Sequence, residues 1–198
     1  MGRPGLVALM CAFMTCGLVV VAGCGGDADG PYVGDMDDRS YSGQVTSEGT
    51  VARESAAGGT VSITDFKGRF VWAEYAAPWC QVCGSQVPVV QSVLASMTEQ
   101  VVFLTVMTSD GQNVHADATR ATASGWAQRF GLAPDRVVAG KNLSSWTVPT
   151  HILYSPEGQT LLRHTGLLPA DRLGPLLAAR VADWKEWRKT GKKADWMR

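Results

Sequence analysis

The chain has no second pair of closely spaced cysteines, and that absence limits what the first pair can be. Of its five cysteines, only Cys80 and Cys83 are separated by two residues. Structural zinc takes four ligands, commonly two such pairs or one pair plus two histidines three to five residues apart. The histidines His115, His151 and His164 are not spaced that way, so no structural zinc or copper site is readable. Each histidine taken alone reads as a surface or hairpin residue. An excess of charge of one sign is also missing: 18 Lys and Arg balance 18 Asp and Glu. The basic footprint of a nucleic-acid binder is therefore not there. Internal repeats are lacking too, which excludes a solenoid or propeller. What is present is 45% apolar residues in 198, the composition of one globular domain with extensions.

The longest apolar run covers residues 6–22 and follows a single basic residue, Arg3. That is the layout of a secretory signal. Val21-Ala22-Gly23-Cys24 resembles the lipobox of bacterial lipoproteins. The resemblance implies cleavage after Gly23 and a lipid on Cys24, with residues 1–23 removed. An uncleaved membrane anchor is the other reading, because the run is nearly long enough to span a bilayer. Either way the remainder lies outside the cytoplasm, with Arg3 inside. Cys11 and Cys16 then leave with the signal, and Cys80 and Cys83 remain as thiols where disulfides persist. Residues 24–58 are rich in Gly, Ser and Asp and poor in large apolar side chains. They read as a flexible tether.

The folded part is expected over residues 59–184. "TVSITDFKGRF" gives a short strand and a turn, and "RFVWAEYAA" a central strand buried on both faces. A helix follows Cys80, with Val87, Val90, Leu94 and Met97 on one face and Pro88 kinking it. "VVFLTVMTS" is a second buried strand and "DATRATASGWAQRFGL" a second helix. "RVVAG" reads as a short edge strand. "THILY" and "QTLLRH" flank the turn at 155–158 as a hairpin. A last helix begins near Pro169, with a late start or bend at Pro175. Strand–helix–strand units imply parallel pairing and the hairpin adds antiparallel pairing. The expected architecture is a three-layer α/β/α domain with a mixed central sheet. Residues 185–198 form a basic extension holding Trp187 and Trp196. It reads as a continuation of the last helix with a solvated face, or as a membrane-surface contact.

A Cys-x-x-Cys at a strand-to-helix junction sets the first sulfur against the helix N-terminus, where the dipole favours thiolate. The second sulfur lies one turn further in. Cys80 can then attack a disulfide of a partner, and Cys83 can resolve the mixed disulfide. A purely structural bridge gains little here, because a two-residue loop has little closure entropy to remove.

Trp79-Cys80-Gln81-Val82-Cys83 resembles the W-C-x-x-C of thioredoxins. "GTVSITDFKGRFVWAEYAAPWC" and "WTVPTHILYSPEGQTLLRHTGLL" are similar to two segments of TlpA/ResA-like thiol–disulfide oxidoreductases, and the likeness covers residues 59–182. It implies a thioredoxin-like fold and dithiol–disulfide exchange with protein thiols and disulfides, with no bound cofactor and no metal. An unidentified membrane or periplasmic electron donor is implied as well. Pro149 matches the cis-proline facing the disulfide, which leaves the backbone at Val148 free to pair with an extended substrate. Pro88 matches the proline in the active-site helix. Trp79 is expected beside Cys80 on the docking surface. Glu74 stands where thioredoxins have a buried Asp. An unpaired carboxylate there would be raised in pKa by burial, and would exchange a proton with Cys83 through water as the mixed disulfide resolves. A Glu reaching solvent or pairing with Lys67 or Arg69 is the alternative. Gln81-Val82 departs from the intervening pairs of thioredoxin and of strong oxidants, so no potential carries over. Reduction, including service to cytochrome c maturation, is the direction implied by the likeness. An oxidase or isomerase, or a non-catalytic module binding a metal or partner, is the alternative.

Overall fold

The computed structural model describes residues 36–37, 45, 47–66 and 68–198. The leader expected over residues 1–23, lipidation at Cys24, much of the tether and Lys67 lie outside the described residues. Strands β1 Met36–Asp37, β2 Arg53–Ser55, β3 Thr60–Val61, β4 Phe70–Ala76, β5 Val101–Met107, β6 Val137–Ala139, β7 Thr150–Tyr154 and β8 Thr160–Thr165 form one sheet. Its order is β1-β8-β7-β4-β5-β6-β2-β3. Helices are α1 Ser47–Thr50, α2 Gln81–Leu94, α3 Arg120–Phe130 and α4 Ala170–Thr190.

The two apolar runs, β4 and β5, sit at the centre and pair in parallel. On one side β7 adds antiparallel to β4, and on the other β6 adds parallel to β5. Every residue of β4 is buried, as a strand covered on both faces requires. Side-chain alternation assigns Phe70, Trp72 and Ala76 to one face, packed with the apolar residues of α2, α3 and α4. Val71, Ala73 and Tyr75 fall on the other. That second face has a thin cover: α1, a 3₁₀ turn at Ile63–Phe66 and the segment carrying Leu143 and Trp146.

Three expectations need correction. The tether does not run to residue 58, because Arg53–Ser55 pairs with β6 on one side and β3 on the other. Backbone pairing and a part-buried Arg53–Glu48 ion pair supply what the composition lacks in apolar area. For the same reason "RVVAG" is not an edge: β6 is flanked by β5 and β2. The boundary at 184 also disappears. Helix α4 starts at Ala170, contains Pro175 and continues to Thr190, where Gly191 closes it at φ 75°. Trp187 and Trp196 then pack against the main core, and Met197 is buried in it.

Candidate active site

Strand β4 ends at Ala76, whose carbonyl accepts from the Thr108 N–H at 2.8 Å. Four residues later the chain enters α2. Cys80 is the N-cap residue of that helix, with extended φ and ψ of −81° and 99°. Its Sγ accepts from the Cys83 N–H at 3.1 Å. A sulfur in this position occupies the place of an N-cap oxygen, and the helix N–H groups and dipole favour negative charge there. Cys80 and Cys83 are joined as a disulfide with Cα atoms 5.3 Å apart. Cys80 keeps 8% of its surface exposed and Cys83 none. A partner can thus reach the first sulfur and not the second.

Trp79 is exposed, at 46%, as is Gln81, and the Trp79 indole N–H donates to Ser109 Oγ at 2.9 Å. The Val148–Pro149 peptide is cis. Val148 packs against the cluster that contains both cysteines, Ala76 and Ala77. Strand β7 begins immediately afterwards at Thr150. The structure therefore brings Trp79, Cys80, Cys83 and the Val148–Pro149 turn to one end of the sheet. Beside them an open groove of about 480 Å³ runs from Pro78 past Asp110, Thr122 and Trp126 to Arg129. Hydrogen bonds from the Gln112 N–H and the Thr122 hydroxyl hold the Asp110 carboxyl below its ordinary pKa.

Glu74 lies on the same face of β4 as Trp72 and Ala76, beneath α2. It is fully buried, and neither carboxylate oxygen has a hydrogen-bond partner among the described residues. Desolvation raises its pKa well above 4.5. Neither solvent nor Arg69 reaches it: the Arg69 guanidinium donates to the Thr98 carbonyl.

Two residues that sequence reasoning passed over share this face. His151 is paired with Glu74 across β4 and β7, and with His164 across β7 and β8. Both histidines do stand in the hairpin, but both are buried, at 0% and 1% exposure. Burial and the neighbouring His164 push His151 down to about 3, the Gly166 backbone acting in the opposite sense. Burial likewise lowers His164, whose Nε2 is 3.2 Å from the Leu167 carbonyl. The available signal was period-two alternation in "THILY", which sets His151 on the same side as Leu153. Gln86 was missed as well. It is buried on α2, and its amide both donates to the Leu168 carbonyl and accepts from the Leu168 N–H, each at 2.9 Å.

Solved structures share this arrangement of elements. The mixed oxidized and reduced forms of dsbF from MTB superpose with a TM-score of 0.54 at 18% identity, over 69% of this chain and 99% of that one. The fold is thioredoxin-like. The exposed lipoprotein thioredoxin Etrx1 of Streptococcus pneumoniae gives 0.51 at 22% identity, over 65% and 98%. A secreted thiol-disulfide isomerase of Corynebacterium glutamicum gives 0.54 at 14%, over 67% and 83%. No family model and no curated protein matches the sequence. On a thioredoxin-like fold, the end of the sheet that carries Cys80 is also the end where Trp79 is exposed and the cis-proline turn packs. The fold by itself does not decide the chemistry, which has to be argued from those side chains.

Proposed function

We propose that this chain is an extracytoplasmic thiol–disulfide oxidoreductase that exchanges the Cys80–Cys83 pair with disulfides and thiols of other proteins. The carrying observation is the asymmetry of the pair. One sulfur caps a helix at the surface and the other is buried a turn further in. Cys80 is the nucleophile and Cys83 the resolving thiol. Trp79 and Val148 receive the substrate chain, with Pro149 keeping the backbone edge beside Cys80 clear of an N–H. Glu74 trades a proton with Cys83 in the resolving step.

The leader and Cys24 support a lipid anchor that holds the domain at the outer side of a bacterial membrane. The names borne by the similar structures, a secreted isomerase and an exposed lipoprotein, fit that location. Reduction is the direction favoured by the TlpA/ResA resemblance, with cytochrome c maturation as one service of that type. A membrane or periplasmic donor would then return electrons to the pair.

Substrate trapping tests the proposal. Cys83→Ser should accumulate mixed disulfides through Cys80 that dithiol reagents release, and Cys80→Ser should accumulate none. Equal absence of adducts from both variants would remove exchange chemistry and leave a binding module.

A further inference from the structure

The chain is neutral as a whole, yet its charges are not evenly spread. Four of its six lysines, Lys185, Lys189, Lys192 and Lys193, stand close together, and Arg188 and Arg198 join them. Against those six cations, residues 185–198 carry only Glu186 and Asp195. Residues 24–38, by contrast, hold five aspartates and no Lys or Arg. All six cations are exposed.

The helix dipole accounts for part of this cluster. Arg188 and Lys189 lie in the last turn of α4, where cations are favoured, but the effect falls off within that turn. Lys192 and Lys193 come after the Gly191 cap. Pairing accounts for another part. Arg188 meets Glu157 at 3.8 Å, Arg198 meets Asp195 at 3.5 Å, and Lys185 donates to Gln100. Among the described residues, the Lys189 and Lys192 ammonium groups have no ion-pair partner, and Lys193 has only the Trp187 ring, 6.0 Å away.

The cluster also has a definite place. Trp184 meets Phe70, the first residue of β4, edge-on at 6.5 Å, and Gln100 immediately precedes β5. The cations therefore gather at the end of the sheet where β4 and β5 begin. Cys80 follows the end where β4 finishes, and the seven residues of β4 set the two ends about 20 Å apart. Trp187 and Trp196 are packed against the main core, and the Trp196 indole N–H donates to Asp183 at 2.8 Å. Contact through this pole is thus a matter of charge rather than of aromatic insertion.

We propose that the basic pole rests on an anionic phospholipid surface and so points Cys80 away from the membrane, toward soluble protein substrates. This goes beyond the exchange chemistry and rests on the anchored location read above. About four to eight Lys and Arg clustered on a helix beside a membrane recognise anionic headgroups, and a basic patch adds a second attachment to a lipid chain. The anchor alone does not orient the domain. Residues 24–36 can extend to about 40 Å, twice the length of β4, so either end of the sheet could face the bilayer. The cations decide between the two ends. The acidic stretch at 24–38 is repelled by the same surface and does not compete with the pole for lipid.

The full-length protein is reconstituted with vesicles of phosphatidylcholine alone or mixed with phosphatidylglycerol, and its lysines are acetylated and read by peptide mass spectrometry. Lys141, exposed just beyond β6 at the site end of the sheet, is the internal control. With phosphatidylglycerol present, Lys185, Lys189, Lys192 and Lys193 should react several-fold more slowly than without it, and Lys141 at an unchanged rate. High salt should remove the difference. In the triple variant Lys189→Gln, Lys192→Gln, Lys193→Gln, the protection of Lys185 should disappear, while Cys80 is alkylated as fast as in wild type. Equal acetylation of the cluster in both vesicles overturns the proposal. So does equal protection of Lys141, which means a contact without orientation. Protection already complete in neutral vesicles overturns it too, because the acidic stretch would then be what covers the pole. Flotation reads the anchor separately: protein that floats with the mixed vesicles and not with the neutral ones keeps the pole and removes the anchor. Protein that floats with neither removes both.

Discussion

The two faces of strand β4 each bury polar groups, and they treat them in opposite ways. On the face beneath α1, the Tyr75 hydroxyl is 3.2 Å from the Tyr154 hydroxyl and donates to Glu48 at 3.3 Å, while Arg53 pairs with Glu48. Trp146 stacks on Tyr75 at 4.6 Å, and the Arg163 guanidinium lies over the Trp146 ring. Each side chain in that set meets another, and of its buried polar atoms only Arg53 Nε has no hydrogen bond among the described residues. On the face beneath α2, the Glu74, Thr105 and His151 side chains and His164 Nδ1 make no hydrogen bond among the described residues. An orphaned buried group costs about 1–3 kcal/mol, and the same sheet shows that this sequence can satisfy such groups. The paired set explains itself as stability. The unpaired set, one strand position from the cysteine cluster, needs a reason in chemistry.

That contrast can be broken by mutation. The largest effect is expected at Arg53. Arg53→Ala leaves Glu48 facing two phenols with its cation gone, and should cost about 3 kcal/mol in a urea melt. Exchange per folded molecule should not change; a loss of rate at full stability would mean that the paired face also serves the site.

Next comes pH. Between about 3 and 6.5 the unfolded chain binds a proton at His151 that the folded chain refuses, so stability falls as pH drops through that window. His164, also lowered, acts in the same sense. Glu74 acts the other way: above 4.5 the unfolded chain releases a proton that the fold retains, so stability falls as pH rises. The two oppose each other above 4.5, until Glu74 ionises in the fold or His151 is neutral in the unfolded chain. Glu74→Gln should therefore steepen the climb in stability over that interval, by at most about 1.4 kcal/mol per pH unit. An unchanged profile would mean that Glu74 is ionised in the fold. The smallest effect is Tyr75→Phe, about 1 kcal/mol from the lost hydroxyl contacts, with exchange unaltered at neutral pH.

Much of this was legible beforehand, for identifiable reasons. The continuous apolar runs fixed β4 and β5, because a strand buried on both faces needs no polar alternation. The cysteine spacing and Trp79 pointed to the end of the sheet where the candidate site lies. Glu74 stood out because nothing else polar interrupts its strand. The histidines did not stand out, since a lone His has no sequence signature of burial. What buries His151 is its register opposite Glu74, a property of strand pairing between residues 77 apart in sequence. Strand β2 was hidden for a similar reason. Its three residues draw their stability from backbone ladders on both sides and from a partner, Glu48, five residues away. Neither leaves a pattern in composition.

The central claim is that Cys80 and Cys83 form a bond that is made and broken in use. It is tested most directly by equilibrating the protein in glutathione buffers of graded potential and counting free thiols at these two positions by peptide mass spectrometry. The account predicts one reversible two-electron transition in which both thiols appear together, its midpoint setting the direction of exchange. Thiols that fail to pair at any potential, or a bond that no buffer reduces, would contradict it.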